Sequence, residues 1–262
     1  MYKRQGIYLP YEFSYCYYRH EYKIPLSALK FNDNNDGLKV ERVSLTEDIL
    51  SPLYKKLTAD YNGVPVRTSF QWHKLLTVHQ KENVQCAVVY DNEQALGYMF
   101  YYIADDCFHI VELLAANQKV RNRLLQYVAM HQSSASKLHW LAEDWDKTFL
   151  NFANQSYSGS TAPFMMARCL DARKALAKLQ VSENLPCDSL ILLLTDNIIE
   201  RNSHLLKVKT APGTLEAVST IDQEDIVMDM GAFTQLYMGT FSASELYAVS
   251  YTHLTLPTKL EV

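Results

Sequence analysis

The chain has 262 residues, 48% of them hydrophobic, and a formal charge of −4 at pH 7 from 25 basic and 29 acidic residues. This length and hydrophobic content predict one or two globular domains and exclude a disordered or low-complexity chain. The lack of a basic excess argues against nucleic acid or an anionic membrane as the main partner.

The two ends of the chain resemble translated sequencing adapter. Residues 1–5 (MYKRQ) resemble a transposase mosaic end, and residues 249–258 (VSYTHLTLPT) resemble its reverse complement, followed by residues 259–262. Segments of this kind come from library preparation and not from the gene. We therefore expect residues 6–248 to be an internal fragment of a longer gene, with residues 1–5 and 249–262 as adapter artefacts.

Residues 6–38 are rich in tyrosine and end in the strongest breaker of the chain. Pro10 predicts the start of a short helix with Phe13 and Tyr17 on one face, followed by a loosely alternating strand over residues 22–31. The run of Asn and Asp over residues 32–36, closed by Gly37, predicts a domain boundary after residue 38.

Residues 39–180 alternate between strand and helix patterns. The predicted elements are a strand at 40–44, helices after Thr46 and at 69–81, strands at 85–90, 95–103 and 107–114, a helix at 118–132, a strand at 138–141, a short helix at 146–153, a strand at 165–169 and a helix at 171–179. Three adjacent strands with short links predict an antiparallel meander inside an α/β layer.

Residues 181–248 predict a small α+β unit. Its predicted strands are at 189–194, 204–209, 214–218 and 226–230, with a helix at 232–238 and another from residue 242.

The five cysteines of the whole chain form no CxxC pair and lie mostly in apolar runs. That pattern favours buried, reduced thiols in a cytoplasmic protein.

Most catalytic motifs are absent from the sequence. It contains no GxxxxGK[ST], GxGxxG, HExxH or GxSxG. His73 and His79 do not share one helical face, so we expect no metal site. His109 is interpreted as a strand-face histidine and Asp105 with Asp106 as a solvated turn.

One absence bears on acyl-CoA binding. The pyrophosphate of CoA needs exposed backbone N–H groups at a strand-to-helix turn, and glycines let that backbone come close. In this sequence the predicted strand-to-helix turn that would take that place is residues 116–123, and it contains no glycine. Arg121 and Arg123 remain alternative phosphate contacts, but we expect residues 39–180 not to bind CoA in the usual way.

A series of segments resembles a known family. It includes residues 72–76 (WHKLL), 97–101 (GYMFY) and 229–233 (DMGAF), and its most specific member is residues 165–176 (MMARCLDARKAL). Over nearly all of residues 6–248 the series resembles the Eis (enhanced intracellular survival) family of GNAT-type N-acetyltransferases.

The resemblance implies two GNAT regions in tandem followed by a domain like sterol carrier protein. Residues 6–38 would then be the C-terminal remnant of the first, catalytic GNAT region. Residues 39–180 would be a second, degenerate GNAT-like domain of α/β class, with a mixed sheet and flanking helices, and residues 181–248 a truncated sterol-carrier-like α+β domain. The family's main acetyl-CoA loop would lie upstream of Gly6.

The resemblance also assigns site residues. Residues 10–20 (PYEFSYCYYRH) take the place of the family segment P-F-x-x-x-F-Y-R-x-F-G-Y, so Tyr18 matches the catalytic tyrosine, a general acid that protonates the CoA thiolate. Ser14 is assigned to acetyl-CoA binding. Directly afterwards, residues 21–23 (Glu-Tyr-Lys) replace the family's aromatic-glycine-aromatic turn. The family's base is a C-terminal carboxylate, a role that we do not assign to Val262.

We therefore expect a cytoplasmic N-acetyltransferase that moves acetyl from acetyl-CoA to a primary amine of an aminoglycoside, a lysine or a polyamine-like acceptor. The resemblance implies a hexamer, and it implies neither a metal nor a nucleic-acid or membrane partner. The fragment by itself is expected to be inactive. The alternative is a lipid-binding, small-molecule-binding or scaffold protein that uses the sterol-carrier-like domain without catalysis.

Overall fold

The computed structural model describes residues 5–31, 37–61, 63–143, 146–151, 158–184, 186 and 188–249. The adapter predictions for residues 1–4 and 250–262, the breaker at 32–36 and Cys187 lie outside these residues. The chain forms two compact units. We call Tyr18–Ala162 the central unit, and Met1–Tyr17 with Pro163–Val262 the terminal unit. The domain boundaries at residues 38 and 180 remain predictions.

The two units together contain helices and strands that are numbered in chain order. They are α1 (Gln5–Tyr8), β1 (Ser14–Pro25), β2 (Lys39–Val43), α2 (Glu47–Leu57), α3 (Ser69–Lys81), β3 (Gln85–Asp91), β4 (Gln94–Ala104), β5 (Cys107–Ala115), α4 (Gln118–Ala129), β6 (Lys137–Glu143), β7 (Ser158–Ala167), α5 (Ala172–Leu176), β8 (Ser189–Thr195), β9 (Leu205–Ala211), β10 (Thr214–Ser219), β11 (Ile226–Asp229), α6 (Met230–Tyr237) and α7 (Ala243–Val249). Short 3₁₀ turns lie at Leu9–Tyr11, Leu26–Ala28, Thr148–Asn151 and Glu200–Asn202.

The central unit is built on a mixed sheet with strand order β2-β3-β4-β5-β6-β1-β7. Strands β3, β4 and β5 pair antiparallel, which confirms the predicted meander. Strand β5 then runs parallel to β6 from Cys107 to Ile110. The tight turn between β4 and β5 has left-handed backbone at Asp105 and Asp106 (φ 50° and 58°), which short polar side chains tolerate.

Both faces of this sheet are covered, which is why its strands are nearly continuous apolar runs. On β3, Ala87 and Val89 pack in a cluster with the apolar face of α4. Their neighbours Cys86 and Val88 point the other way and pack with residues of α2 and α3. This is the period of two expected of a strand.

The terminal unit contains a four-stranded sheet with order β10-β9-β8-β11. Strand β8 pairs parallel with β11 and antiparallel with β9. Its core includes Leu192, Leu194 and Leu206 from the sheet, packed with Leu176 of α5 and Phe233 of α6. The predicted fold classes, α/β followed by α+β, are thereby confirmed.

The prediction of a helix opening at Pro10 is wrong. Leu9–Tyr11 form a single 3₁₀ turn, which ends at Glu12 with a left-handed φ of 57°. From Ser14 the chain is extended as far as Pro25. Tyrosines favour strands, and residues 19–25 gain hydrogen-bonded partners on β6, so the strand is preferred over an isolated short helix.

Among the described residues, no helix combines the length and the apolar character needed to cross a membrane.

Candidate functional site

The predicted catalytic segment, residues 10–20, runs from the 3₁₀ turn Leu9–Tyr11 into the first half of β1. Ser14 and Tyr18 are both half-buried residues of this strand. Ser14 belongs to the terminal unit and Tyr18 to the central unit. The two predicted site residues therefore have separate surroundings, one set in each unit.

In the terminal unit, helix α6 holds the start of β1. A Cβ placed on Gly231 would lie 2.6 Å from the Ser14 hydroxyl oxygen, so only glycine allows this close approach. The Gln235 side-chain amide donates to the carbonyl of Tyr15 at 3.0 Å. The Thr240 hydroxyl donates to the carbonyl of Cys16 at 2.7 Å. Ser14 is thus packed beside the first turn of α6.

A buried ion-pair cluster fixes the residues just before β1. The Arg168 guanidinium, whose side chain is only 3% exposed, donates to Glu12 Oε2 at 3.1 Å and to Asp196 Oδ1 at 2.6 Å. It also donates to the carbonyl of Tyr11 at 2.7 Å. The turn that directly precedes β1, within the predicted catalytic segment, is therefore anchored in the terminal unit by one arginine.

Asp196 is ionised despite its burial. Burial by itself raises the pKa of this carboxyl, but hydrogen bonds from Asn202, from the backbone N–H groups of Ile199 and Ile198, and from Arg168 lower it below its usual value. A carboxylate with this many donors is stable as an anion inside the protein. Its role in the fold is to hold Arg168.

In the central unit, the residues that depart from the family pattern continue the strand. Tyr22 is buried, donates its hydroxyl to Asp146 Oδ1 at 2.7 Å and stacks on Trp140 with ring centroids 5.5 Å apart. Glu21 accepts from His139 Nε2 at 2.8 Å and from Lys23 Nζ at 2.9 Å. The residues in place of the expected turn are thus partners for β6.

Glu21 is hydrogen-bonded to one member of a histidine pair, His109 and His139, that the sequence alone did not predict. His109 and His139 are register partners on β5 and β6, with their Nδ1 atoms 3.2 Å apart. Since the Glu21 carboxylate only accepts, Nε2 of His139 carries a hydrogen, and one of the two Nδ1 atoms donates to the other. Burial, and then the neighbouring His139, lower the pKa of His109. The pair borders an open groove of about 500 Å³ that Cys107 also lines.

The glycine-free turn before α4 is closed by its own side chains. The Asn117 side chain accepts from the backbone N–H of Val120 at 3.0 Å. Arg121 is buried and forms ion pairs with Asp146 and, at 3.4 Å, with Glu143. Arg123, the second candidate phosphate contact, donates to the carbonyl of Leu38 and to a neighbouring glutamine. The residues of this turn do not fit a pyrophosphate group.

Close packing also restricts this turn. A Cβ on Gly97 of β4 would lie 2.7 Å from Val120 Cγ1 and 2.8 Å from the Leu114 carbonyl oxygen. The first turn of α4 therefore lies directly against the sheet.

In the described part of the chain, no group of three or more His, Cys, Asp or Glu residues is placed to hold a metal ion. The four described cysteines are free thiols.

Two family descriptions match consecutive parts of the chain. Residues 63–169 match the acetyltransferase (GNAT) domain, and residues 172–255 match the sterol carrier protein domain. The second match extends past residue 248, the predicted end of that domain. The chain thus contains one stretch that resembles a GNAT domain, followed by one that resembles a sterol carrier protein domain. A comparison with curated proteins found no match.

Solved structures share this fold at low sequence identity. A conserved protein of unknown function from Enterococcus faecalis V583, described as a probable N-acyltransferase, is 20% identical, with a TM-score of 0.84 over 95% of this chain and 64% of that one. A GCN5-related N-acetyltransferase from Anabaena variabilis ATCC 29413 is 19% identical, with a TM-score of 0.80 over 96% and 65%. Eis1 from Mycobacterium abscessus is 14% identical, with a TM-score of 0.76 over 97% and 66%. The chain spans slightly less than two thirds of each of these structures.

Proposed function

We propose that the protein to which this chain belongs is an N-acetyltransferase that moves acetyl from acetyl-CoA to a primary amine. The observation that carries the proposal is the pairing of β1 with β6. Residues Arg19–Pro25 pair with β6, which lies inside the stretch that matches the GNAT domain, so the strand that carries the tyrosines extends that sheet from outside the matched residues. Tyr18 directly precedes the paired residues.

The chemistry assigned to Tyr18 is proton donation. The amine nitrogen attacks the thioester carbonyl, the carbon–sulfur bond breaks, and the thiolate of CoA takes a proton from the phenol. Tyrosine, with a reference pKa of about 10, remains protonated at neutral pH and is available as this acid. The acceptor amine gives its proton to a base that the described residues do not identify. Ser14, beside α6, is the proposed acetyl-CoA contact.

The closed turn before α4 supports the proposal that acetyl-CoA is bound by a different region from the one that contains this turn. Arg121 is occupied by Asp146, and Asn117 caps the helix, so acetyl-CoA is not held at this turn. We propose that the GNAT domain of residues 63–169 has a structural role, as the Eis resemblance implies for a second GNAT region. The pyrophosphate is then bound elsewhere in the full-length protein.

The test is release of the CoA thiol by the full-length protein. Acetyl-CoA is supplied with an aminoglycoside, with a lysine peptide or with a polyamine, and free thiol is followed with a chromogenic disulfide. We expect amine-dependent release that shows saturation with one of these acceptors. Release that does not depend on any amine would refute the transferase proposal.

A second candidate function is lipid binding, favoured by the match of residues 172–255 to the sterol carrier protein domain. The test is displacement of a fluorescent fatty acid from the purified protein. Tight, saturable displacement together with no acetyl transfer would favour binding over catalysis. Displacement of less than stoichiometric probe would count against it.

A further inference from the structure

A concave cluster of basic side chains lies in the terminal unit, and it includes neither Ser14 nor Tyr18. It is formed where α5, the turn Glu200–Asn202 and the end of β10 meet, around a cavity of about 480 Å³. The cavity is bordered by Arg173, Lys174, Arg201, His204 and Ser219. Because the whole chain is acidic, with a charge of −4, a basic cavity is a local exception.

The positive charge of this cavity is only partly neutralised, by Asp171. Its carboxylate, Asp171, accepts from the backbone N–H of Lys174 at 3.0 Å and pairs with the Lys174 ammonium at 3.1 Å. Among the described residues, neither Arg173 nor Arg201 has a carboxylate within ion-pair distance. Asp171 acts on Arg201 only at longer range, so both guanidinium groups border the cavity without a close ion pair among the described residues.

The two arginines are held in position rather than free to extend. Arg173 donates to the Ser219 hydroxyl, and Arg201 donates to the carbonyl of Leu170 at 3.3 Å. Buried Asn202, next to Arg201, accepts from the backbone N–H of Ala172 at 3.3 Å. That contact ties the turn carrying Arg201 to the helix carrying Arg173, so the spacing of the guanidinium groups is set by the fold.

These donors suit a dianion better than a monoanion. Guanidinium groups bind phosphate oxygens with charge-assisted hydrogen bonds, and a phosphate monoester offers three terminal oxygens and about two charges. The volume exceeds that of a phosphate group alone and leaves room for an attached organic group. We propose that this cavity of the sterol carrier protein domain binds the phosphate monoester group of a small molecule or a lipid headgroup.

The experiment is calorimetric titration of the purified 262-residue chain with inorganic phosphate and with glycerol 3-phosphate at low ionic strength. We expect saturable binding of both, weaker at high salt because exposed charges are screened. Arg173→Gln with Arg201→Gln should lower the affinity at least about tenfold, since each arginine supplies charged hydrogen bonds. The matched control, Lys178→Gln with Lys209→Gln, removes the same charge from exposed positions of the same unit and should bind like the parent.

Two further arms separate the sources of the phosphate. Phosphatidylcholine vesicles with and without phosphatidic acid are sedimented with the chain. Binding that requires phosphatidic acid and is competed by glycerol 3-phosphate identifies a lipid headgroup, whereas binding of glycerol 3-phosphate alone identifies a soluble ligand. Equal affinity in both double variants, or no saturable binding of any of these probes, overturns the proposal. Circular dichroism of each variant excludes unfolding as the cause of lost binding. The readout does not involve acetyl transfer, so it is independent of the proposed function.

Discussion

Removal of the Arg121 charge should destabilise the central unit strongly. The Arg121 side chain is 7% exposed and its partner Asp146 is 1% exposed, so the pair lies away from water. Arg121→Met keeps most of the side-chain length against the Trp140 ring, from which the guanidinium carbon is 5.6 Å. The substitution therefore removes the charge and its hydrogen bonds while keeping much of the packing.

The expected cost follows from what Asp146 retains. Breaking a buried ion pair typically costs about 3–5 kcal/mol, because the remaining charge stays buried without its partner. Asp146 still accepts from the Tyr22 hydroxyl at 2.7 Å and from the Thr148 backbone N–H at 2.8 Å, which offsets part of the loss. We expect the free energy of unfolding to fall by about 3 kcal/mol.

A double-mutant cycle isolates the ion pair itself. Asp146→Asn keeps an acceptor for Tyr22 and leaves Arg121 with Glu143 at 3.4 Å, so it should cost about 2–3 kcal/mol. In the double variant, the fall in the free energy of unfolding should be smaller than the sum of the two single effects by about 1 kcal/mol or more. The reason is that neither member of the buried Arg121–Asp146 pair remains charged without its partner.

The assay is urea unfolding followed by tryptophan fluorescence, to which Trp140 contributes. The control is Lys207→Met, which breaks an exposed pair with Asp222 at 3.2 Å and should cost under about 1 kcal/mol. If Arg121→Met costs no more than this control, or if the two single effects simply add, Arg121 and Asp146 are not the buried, coupled pair that their geometry indicates.

Two further predictions concern packing and pH. Gly97→Ala should cost about 1–3 kcal/mol, because the added methyl meets Val120 of α4 at 2.7 Å, whereas Gly6→Ala, with open space around it, should be nearly neutral in the same urea assay. Burial lowers the pKa of His79 in the folded protein. As the pH falls, the unfolded chain therefore binds a proton at this residue before the folded chain does. The stability that is present above a pH of about 6.5 should be lost as the pH falls below that value. Unfolding midpoints at pH 7.5 and about 5.5 test this, and an unchanged pH dependence in His79→Gln would contradict it.

The meander and the start of α4 were predictable because their signals are local. Apolar runs bounded by Asn and Asp turns give β3, β4 and β5, and Asn117 caps α4 at the predicted first residue. Residues 22–25 of β1 fall within the strand predicted over residues 22–31, but residues 18–21 were not predictable in the same way. The partner strand β6 lies more than a hundred residues later, and the strand preference of tyrosine does not by itself show which residues of the segment pair with it.

The contacts of the candidate site were less predictable than the elements. Arg121 was an alternative phosphate ligand from its position in the turn, but its side chain binds Asp146, 25 residues away. His109 was correctly assigned to a strand face, yet its contact with His139 depends on the register of two parallel strands. No local pattern encodes such register, so pairings of this kind become visible only in three dimensions.

The measurement that tests the proposed mechanism most directly compares Tyr18→Phe with Tyr17→Phe in the full-length protein. Both variants keep the aromatic ring and remove one phenolic hydroxyl, from adjacent positions of β1. We expect Tyr18→Phe to lower kcat for acetyl transfer by about 10²–10⁴-fold with little change in KM, while Tyr17→Phe stays near the parent. Equal activity of the two variants would remove Tyr18 from the mechanism and contradict its proposed role as the general acid.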